Sequence, residues 1–327
     1  MITRGSVPSD AEAEQLAEIA RLYYEEGLTQ SQIGKRYGIS HSTVSRLLQE
    51  VRRRGIVEVR IHYPLPRAHD LEEELTTRYA LQGAQVLVSH NLSYAEALRR
   101  MGIMAARVLT ALLTDGMILG ISWGTAVAAT VDAIAQHDLR AATVVQMIGG
   151  IGSANPAIDG IELARRLGER LNCRYHYLHA PLVVPSPEVR EALVLEQSIA
   201  SVLELARRAE LALVGIGAVA PGHSSLVRAG FLSPQEAAEI VRQGAVGDVC
   251  ARTFDLQGHD CPTIISQRVI GVSLDDLHRI RYVIGVAGGE AKAQAILGAL
   301  RGKHINYLVT DSKAAAEILR LEKERAA

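Results

Sequence analysis

Aromatic residues are scarce in this chain: one tryptophan, two phenylalanines and ten tyrosines make up 4% of 327 residues. Its 48% hydrophobic content is therefore mostly Leu, Ile, Val and Ala, which suits parallel strands covered by helices. Cysteine is scarcer still. Cys173, Cys250 and Cys261 form no CxxC pair, and an odd, irregularly spaced set argues against a disulfide framework and against a zinc site. No metal or cofactor is expected, and a reducing cytoplasm is the expected compartment. The opening stretch MITRGSVPSDAEAEQ lacks the apolar core of a signal segment. Uncharged runs such as Gly116–Val131 are too short for a membrane span and are broken by Gly and Ser, so no membrane partner is expected. Net charge is also missing: at -1 the chain cannot coat nucleic acid as a polycation, and any DNA binding must come from a local patch.

Such a patch is present near the N-terminus. EAEQLAEIARLYYEEGL places Leu16, Ile19, Ala20 and Tyr23 on one face at helical spacing, and Gly27 ends it. Thr29 stands as the N-cap of a short helix, QSQIGKRYG, whose Ile33 and Tyr37 face inward. Gly38 closes that helix, Ile39 plugs the turn, and Ser40 caps a third helix, HSTVSRLLQEVRRRG. A short helix, a glycine turn and a helix opening on small polar residues form a helix-turn-helix pattern. Ile33, Ile39, Val44 and Leu47 fall where the two helices must pack, and Gly34 falls at their closest approach.

The third helix offers Ser40, His41, Ser42, Thr43, Ser45 and Arg46 near its start, where a recognition helix meets base edges. Gln30, Ser31 and Lys35 of the preceding helix, with Arg52 and Arg53, complete the expected DNA-contacting set. Between Thr29 and His62 lie seven cations (Lys35, Arg36, Arg46, Arg52, Arg53, Arg54, Arg60) and two anions (Glu50, Glu58). That is the electrostatic footprint of a unit facing double-stranded DNA. A helical hairpin with a solvated basic face is the alternative. IVEVRIHY then alternates as a strand, in the position of a wing.

Pro64 and Pro66 mark a boundary, so the expected domains are 1–63 for the head, 64–83 for a linker with a connecting helix, and 84–327 for an α/β domain. The connecting helix, HDLEEELTTRYAL, carries Leu71 and Leu75 on one side. It could pair subunits or dock on the next domain. Beyond it, AQVLV, MILGI, TVVQMIG, YHYLH, LALVGIG, YVIGVAG and NYLVTD read as buried strands separated by helical stretches. The expected fold class is α/β, a mostly parallel, Rossmann-like sheet behind a helix-turn-helix domain.

Ligands of such sheets gather at the carboxyl ends of the strands. Gly120, Ser122, Gly124 and Thr125 of GISWGT could receive a ligand at a helix N-terminus. Gly288, Gly289 and Lys292 of AGGEAK repeat the design with a cation one turn into the helix. Asp248, read as the end of the apolar-lined turn GAVGDVCARTFD, could accept from sugar hydroxyls, and Asn155 precedes a helix. Turn chemistry, capping and solvation are the bland alternatives for these residues. No nucleophile with a neighbouring base emerges from the spacing, so no catalytic residue is assigned.

Taken together, LTQSQIGKRYGISHSTVSRLLQEVRRRGIVEV, GISWGTAV, VVQMIGGIG, YLHAPLVV, LALVGIGAV, GAVGDVCARTFD, VIGVAGGEAKAQAILGAL and LVTDSKAA resemble, in order, the SorC-type (DeoR/CggR-like) bacterial sugar-binding regulators. The resemblance implies an effector domain related to sugar-phosphate isomerases, deaminases and CoA transferases, homodimers or homotetramers on operator DNA, and a small carbohydrate or sugar-phosphate effector. It implies that Ser122, Trp123, Gly124, Thr125 and Lys292 hold the phosphate end. Gln146, Gly149, Gly150, Asn155 and Asp248 would line the sugar end. Where many members read WGRT this chain has Trp123-Gly124-Thr125-Ala126, and Met147 replaces a lysine found in some, so an unphosphorylated sugar or polyol stays open. An isomerase- or deaminase-like enzyme carrying a DNA-binding head is the alternative function.

Overall fold

The computed structural model describes residues 10–57, 65–152 and 155–326. The chain divides into two compact units, Met1–Pro64 and Leu65–Ala327. In the first, α1 (Asp10–Tyr24), α2 (Gln30–Tyr37) and α3 (His41–Arg53) enclose a small core of Ile19, Leu22, Ile33, Val44 and Leu48. Leu16, Ala20 and Val51 are buried in an adjoining cluster. Most of the expected wing strand, IVEVRIHY, lies outside the described residues.

The second unit begins with α4 (His69–Tyr79), β1 (Gly83–Leu87), α5 (Tyr94–Leu112), β2 (Ile118–Ile121), α6 (Thr125–Ala133) and β3 (Thr143–Gln146). It continues through α7 (Gly160–Leu171), β4 (Arg174–His176), α8 (Pro187–Val194), α9 (Gln197–Arg207), β5 (Leu211–Ala218), α10 (Ser225–Arg228) and α11 (Pro234–Arg242). The remaining elements are β6 (Ala245–Val249), β7 (Arg252–Asp255), α12 (Leu274–His278), β8 (Tyr282–Val286), α13 (Ala293–Arg301), β9 (Tyr307–Asp311) and α14 (Ser312–Ala326).

Seven strands pair in parallel in the order β1-β9-β8-β5-β2-β3-β4. They fall at the seven runs read as strands in the sequence, but β4 departs from the expected burial: Arg174, Tyr175 and His176 are exposed at the sheet edge. Side chains alternate between the two faces, as the two-residue period requires: Leu211 and Leu213 join one core, Ala212 and Val214 the other. The first core lies under α5, α6 and α7, and the second takes residues of α4, α9, α13 and α14.

The connecting helix takes one of its two expected roles, docking on the next domain, and one further feature departs from the sequence reading. Glu72 is buried and accepts from Arg67 Nε and Nη2, both at 2.7 Å, and from the backbone N–H of Val86 at 2.8 Å, while Leu75 is fully enclosed. These contacts dock α4 on β1. The stretch GAVGDVCARTFD, read as a turn, is an antiparallel hairpin, with β6 pairing both the end of β5 and β7. The two-residue turn between them puts Cys250 at φ 53° and Ala251 at φ 58°. Left-handed backbone of this kind normally selects Asn or Gly, so the hairpin carries no recognisable turn signature.

Candidate functional site

The head is assembled by local capping. Thr29 and Gln32 form a reciprocal capping box at the start of α2, with Thr29 N donating to Gln32 Oε1 at 2.8 Å. Gly38 ends α2 at φ 65°, and Ser40 Oγ accepts from Thr43 N at 3.1 Å to start α3. Gly34 is the close-approach residue: a Cβ there would lie 2.7 Å from the carbonyl oxygen of Ile39.

His41, Ser42 and Arg46 are exposed along the first part of α3, and Ser31 and Lys35 are exposed on α2. Thr43, Ser45 and Gln30 are half-buried. Among the described residues Lys35 and Arg46 have no ion-pair partner, so their charges face solvent unneutralised. The remaining expected contacts already have work inside the protein. Ser40 is engaged in the cap, and Arg52 Nε donates to Tyr24 Oη at 2.8 Å. Arg53 pairs with Glu50, whose carboxyl is held down to about 2 by its hydrogen bonds to Arg53 and Arg54.

In the second unit the strand order reverses between β2 and β5, which pair in parallel: β3 and β4 are added on the β2 side, β8 and β9 on the β5 side. A narrow cleft of about 40 Å³ opens at this switch point, where α/β sheets place their ligands. It is lined by Ser122–Ala126 after β2, Gly215–Gly217 of β5, Ser225, Asp248, Cys250 and Lys292. Ser122 is buried and its Oγ accepts from Gly215 N at 3.4 Å, holding the two strand ends together. Gly124 adopts φ 116°, which glycine reaches without strain, and no side chain caps the first turn of α6 behind it. The leading amides of α6 therefore remain available as donors at the positive end of the helix dipole.

Lys292 closes a short 3-10 turn and projects into the cleft, where Nζ donates to the carbonyl oxygen of Ile216 at 2.8 Å. Burial lowers its pKa, the charge of Asp248 opposes that, and Arg228 adds to the lowering. Asp248 is buried on β6, and burial pushes its carboxyl up to about 6, against the opposing pull of Lys292 and of the Ala251 N–H. Its Oδ2 accepts from that N–H at 3.2 Å. One cation and one acid of shifted affinity thus face a space walled by polar backbone, an arrangement suited to a polyhydroxylated ligand.

Six expected effector residues meet in this cleft: Ser122, Trp123, Gly124, Thr125, Asp248 and Lys292. The others stand outside its lining. Gln146 is fully buried, with Oε1 accepting from Leu178 N at 3.0 Å, and its Nε2 has no partner. Several glycines are required by packing instead. A Cβ would lie 2.5 Å from Met147 Sδ at Gly120, 2.3 Å from Pro181 O at Gly149 and 2.5 Å from Asp311 Oδ2 at Gly288. Gly289, at φ 87°, donates its N–H to Asp311 Oδ2 at 2.7 Å, and Gly150 lies over the Asp159 carboxylate. Asn155 precedes a 3-10 turn at Pro156–Ile158 without capping it. Gly215, Ile216, Gly217, Ser225 and Cys250 were not singled out from the sequence. The strand LALVGIG contains Gly215, Ile216 and Gly217, but nothing in that run marks which residues face the cleft.

No described helix is long and apolar enough to cross a membrane, and no described cluster of His, Cys, Asp or Glu could hold a metal ion.

A helix-turn-helix head joined to an α/β unit with a strand-end cleft defines a ligand-responsive transcriptional regulator. Residues 63–320 match the family described as "Putative sugar-binding domain", and residues 10–59 match the homeodomain-like domain. The chain belongs to this sugar-binding family of SorC-type transcriptional regulators. It is 33% identical to the deoxyribonucleoside regulator of Bacillus subtilis over 95% of this chain and 99% of that protein. To the transcriptional regulator LsrR of Escherichia coli K12 it is 36% identical, covering 94% of this chain and 95% of that one. The crystal structure of the full-length sorbitol operon regulator SorC from Klebsiella pneumoniae superposes with a TM-score of 0.72 at 32% identity, covering 95% of this chain and all of that one.

Proposed function

We propose that the protein binds operator DNA of carbohydrate-catabolic genes through α3 and α2, and that a small carbohydrate in the switch-point cleft sets that affinity. The observation that carries this reading is the convergence of Ser122, the open N-terminus of α6, Asp248 and Lys292 on one cleft. Asp248 accepts from sugar hydroxyls. Lys292 and the α6 amides hold the opposite, polar or phosphorylated end. Arg46 and Lys35 supply DNA contacts, with His41, Ser42 and Ser45 beside them. The ligand acts by binding the DNA-competent and incompetent arrangements unequally, since equal affinity would shift nothing.

The working form is a cytoplasmic homodimer or homotetramer, because two heads on a two-fold axis read paired half-sites. The cleft binds and does not turn over its ligand. An isomerase-like second reading is favoured by one observation, the buried Asp248 beside Lys292, which resembles an acid–base pair. A thermal-shift panel of free and phosphorylated pentoses, hexoses and polyols, run with product analysis, tests both. Stabilisation without product is expected; steady conversion of any stabilising sugar would replace the regulator reading with the enzymatic one.

A further inference from the structure

The switch-point cleft has room for about 40 Å³, little more than one water molecule, whose share of the liquid is about 30 Å³. Sites that enclose a small organic ligand run to about 300–1,000 Å³. A carbohydrate therefore enters only if part of the wall moves. Ser122–Ala126 run from β2 into α6, and Gly215–Gly217 and Asp248 lie on paired strands. Cys250 is buried in the hairpin turn, and Lys292 leads into α13, which is buried along most of its length. The remaining wall is Ser225, on the strap from Ala220 to Leu232 that joins β5 to α11.

That strap differs from the rest of the wall in what holds it. Among the described residues, every hydrogen bond of residues 220–232 begins and ends inside the stretch. His223 N and Ser224 N donate to Ala220 O, both at 2.9 Å, and Phe231 N donates to Leu226 O at 2.9 Å. Arg228 donates to His223 O at 3.2 Å and to Ser225 Oγ at 3.0 Å. A segment that satisfies its own polar groups can lift away without orphaning a donor or acceptor in the body beneath. Its attachment is apolar instead. Leu226 is fully buried in the core that holds Ala212 and Val214, with Val227, Ala229 and Phe231 half-buried against it, and Leu232 is buried where the strap rejoins the body. Gly230, at φ 79°, gives the far end a backbone that glycine adopts freely, and Gly222 stands near the other end in open space. Few buried contacts and self-contained hydrogen bonds mark a unit that opens locally, well short of global unfolding.

We propose that the strap Ala220–Leu232 is a lid on the cleft: it stands closed in this structure and swings out as one piece, hinged at Gly222 and Gly230 and latched by Leu226, to admit the ligand. This rests on the reading of the cleft as the effector site.

The test reads opening in the full-length protein without any ligand. Cys250 lines the cleft and is 4% exposed, whereas Cys173 and Cys261 are partly exposed and stand outside its lining. Burial pushes the Cys250 thiol up to about 12, so its alkylation by iodoacetamide at about pH 8 requires the cleft to open. Peptide mass spectrometry follows each cysteine separately. Leu226→Ala should speed Cys250 alkylation about tenfold or more, the scale of removing one buried leucine from a latch. Leu203→Ala, which removes a leucine of α9 buried in a separate cluster, should leave that rate at the wild-type value. Cys173 and Cys261 should react alike in all three proteins. Hydrogen exchange of the wild type is the second measurement, and it decides alone if Leu226→Ala does not fold. Amides of 220–232 should exchange ahead of β5 and α11, at rates that low urea leaves unchanged. Equal Cys250 rates in wild type and Leu226→Ala overturn the lid, as does an equal acceleration in Leu203→Ala, or a strap that exchanges no sooner than β5. Any carbohydrate that stabilises the protein should slow Cys250 alkylation. If the strap opens as described but no stabilising carbohydrate protects Cys250, the hinge and latch stand and the effector reading of the cleft falls.

Discussion

Gly217 and Asp248 face each other across β5 and β6 so closely that a Cβ on Gly217 would lie 2.1 Å from Asp248 Oδ1. The missing side chain is what lets a carboxylate lie over the end of β5, inside the cleft. Gly217→Ala should therefore displace Asp248 and cost about 1–3 kcal/mol, the usual range for overpacking a filled interior. Chemical denaturation measures the loss, and the same variant should lose ligand-induced stabilisation. An alanine variant of wild-type stability would show that the carboxylate is not fixed there.

Asp248 also makes a pH prediction. Burial raises its carboxyl to about 6, so the folded state holds this proton over a range where the unfolded chain has released it. Its contribution to stability therefore falls as pH rises from about 4 to about 6 and stays unfavourable above, by up to about 3 kcal/mol. Asp248→Asn removes that titration. The stability of the variant relative to wild type should be greater at about pH 7.5 than at about pH 4.5. A difference that does not change with pH would place Asp248 in contact with water.

In the head, Arg46 is exposed and has no ion-pair partner among the described residues, whereas Arg53 is matched with Glu50. Arg46→Ala should weaken specific DNA binding by about 1–3 kcal/mol if it reads a base edge, and Arg53→Ala should do less. Gel-shift titration on selected operator fragments checks the order. Equal losses would assign both residues to the phosphate backbone.

Ser40→Ala removes the side-chain cap of α3 and should lower the stability of the head by about 1 kcal/mol. The loss should appear in the helical unfolding signal of the head, with the second unit unfolding as before. No change would mean that packing of Val44 and Leu48 alone sets the start of the helix.

How far these sites could be read from residues alone follows from the kind of signal each one leaves. The head was legible because Thr29, Gly38 and Ser40 act locally, each capping or stopping its own helix. The inner parallel strands were legible because burial on both faces produces unbroken apolar runs, whereas the edge strand β4, Arg174–His176, is exposed throughout. The β6–β7 hairpin was not, since Cys250 and Ala251 occupy left-handed positions that their residue types do not announce. Gln146 shows the converse difficulty. The backbone N–H of Leu178 donates to its Oε1 while its Nε2 has no partner among the described residues, an internal contact that residue type and position do not announce. Ser225 enters the picture only once the chain after β5 folds back to the cleft.

The central claim is that occupancy of the cleft changes DNA affinity through Lys292. Fluorescence anisotropy of the full-length protein on a selected operator fragment, with and without each carbohydrate that stabilises it, measures this coupling directly. For wild type the affinity should shift with at least one such carbohydrate. For Lys292→Gln the affinity without ligand should be unchanged and the shift should vanish. A shift that survives intact in Lys292→Gln, or wild-type affinity that no stabilising carbohydrate alters, would contradict it.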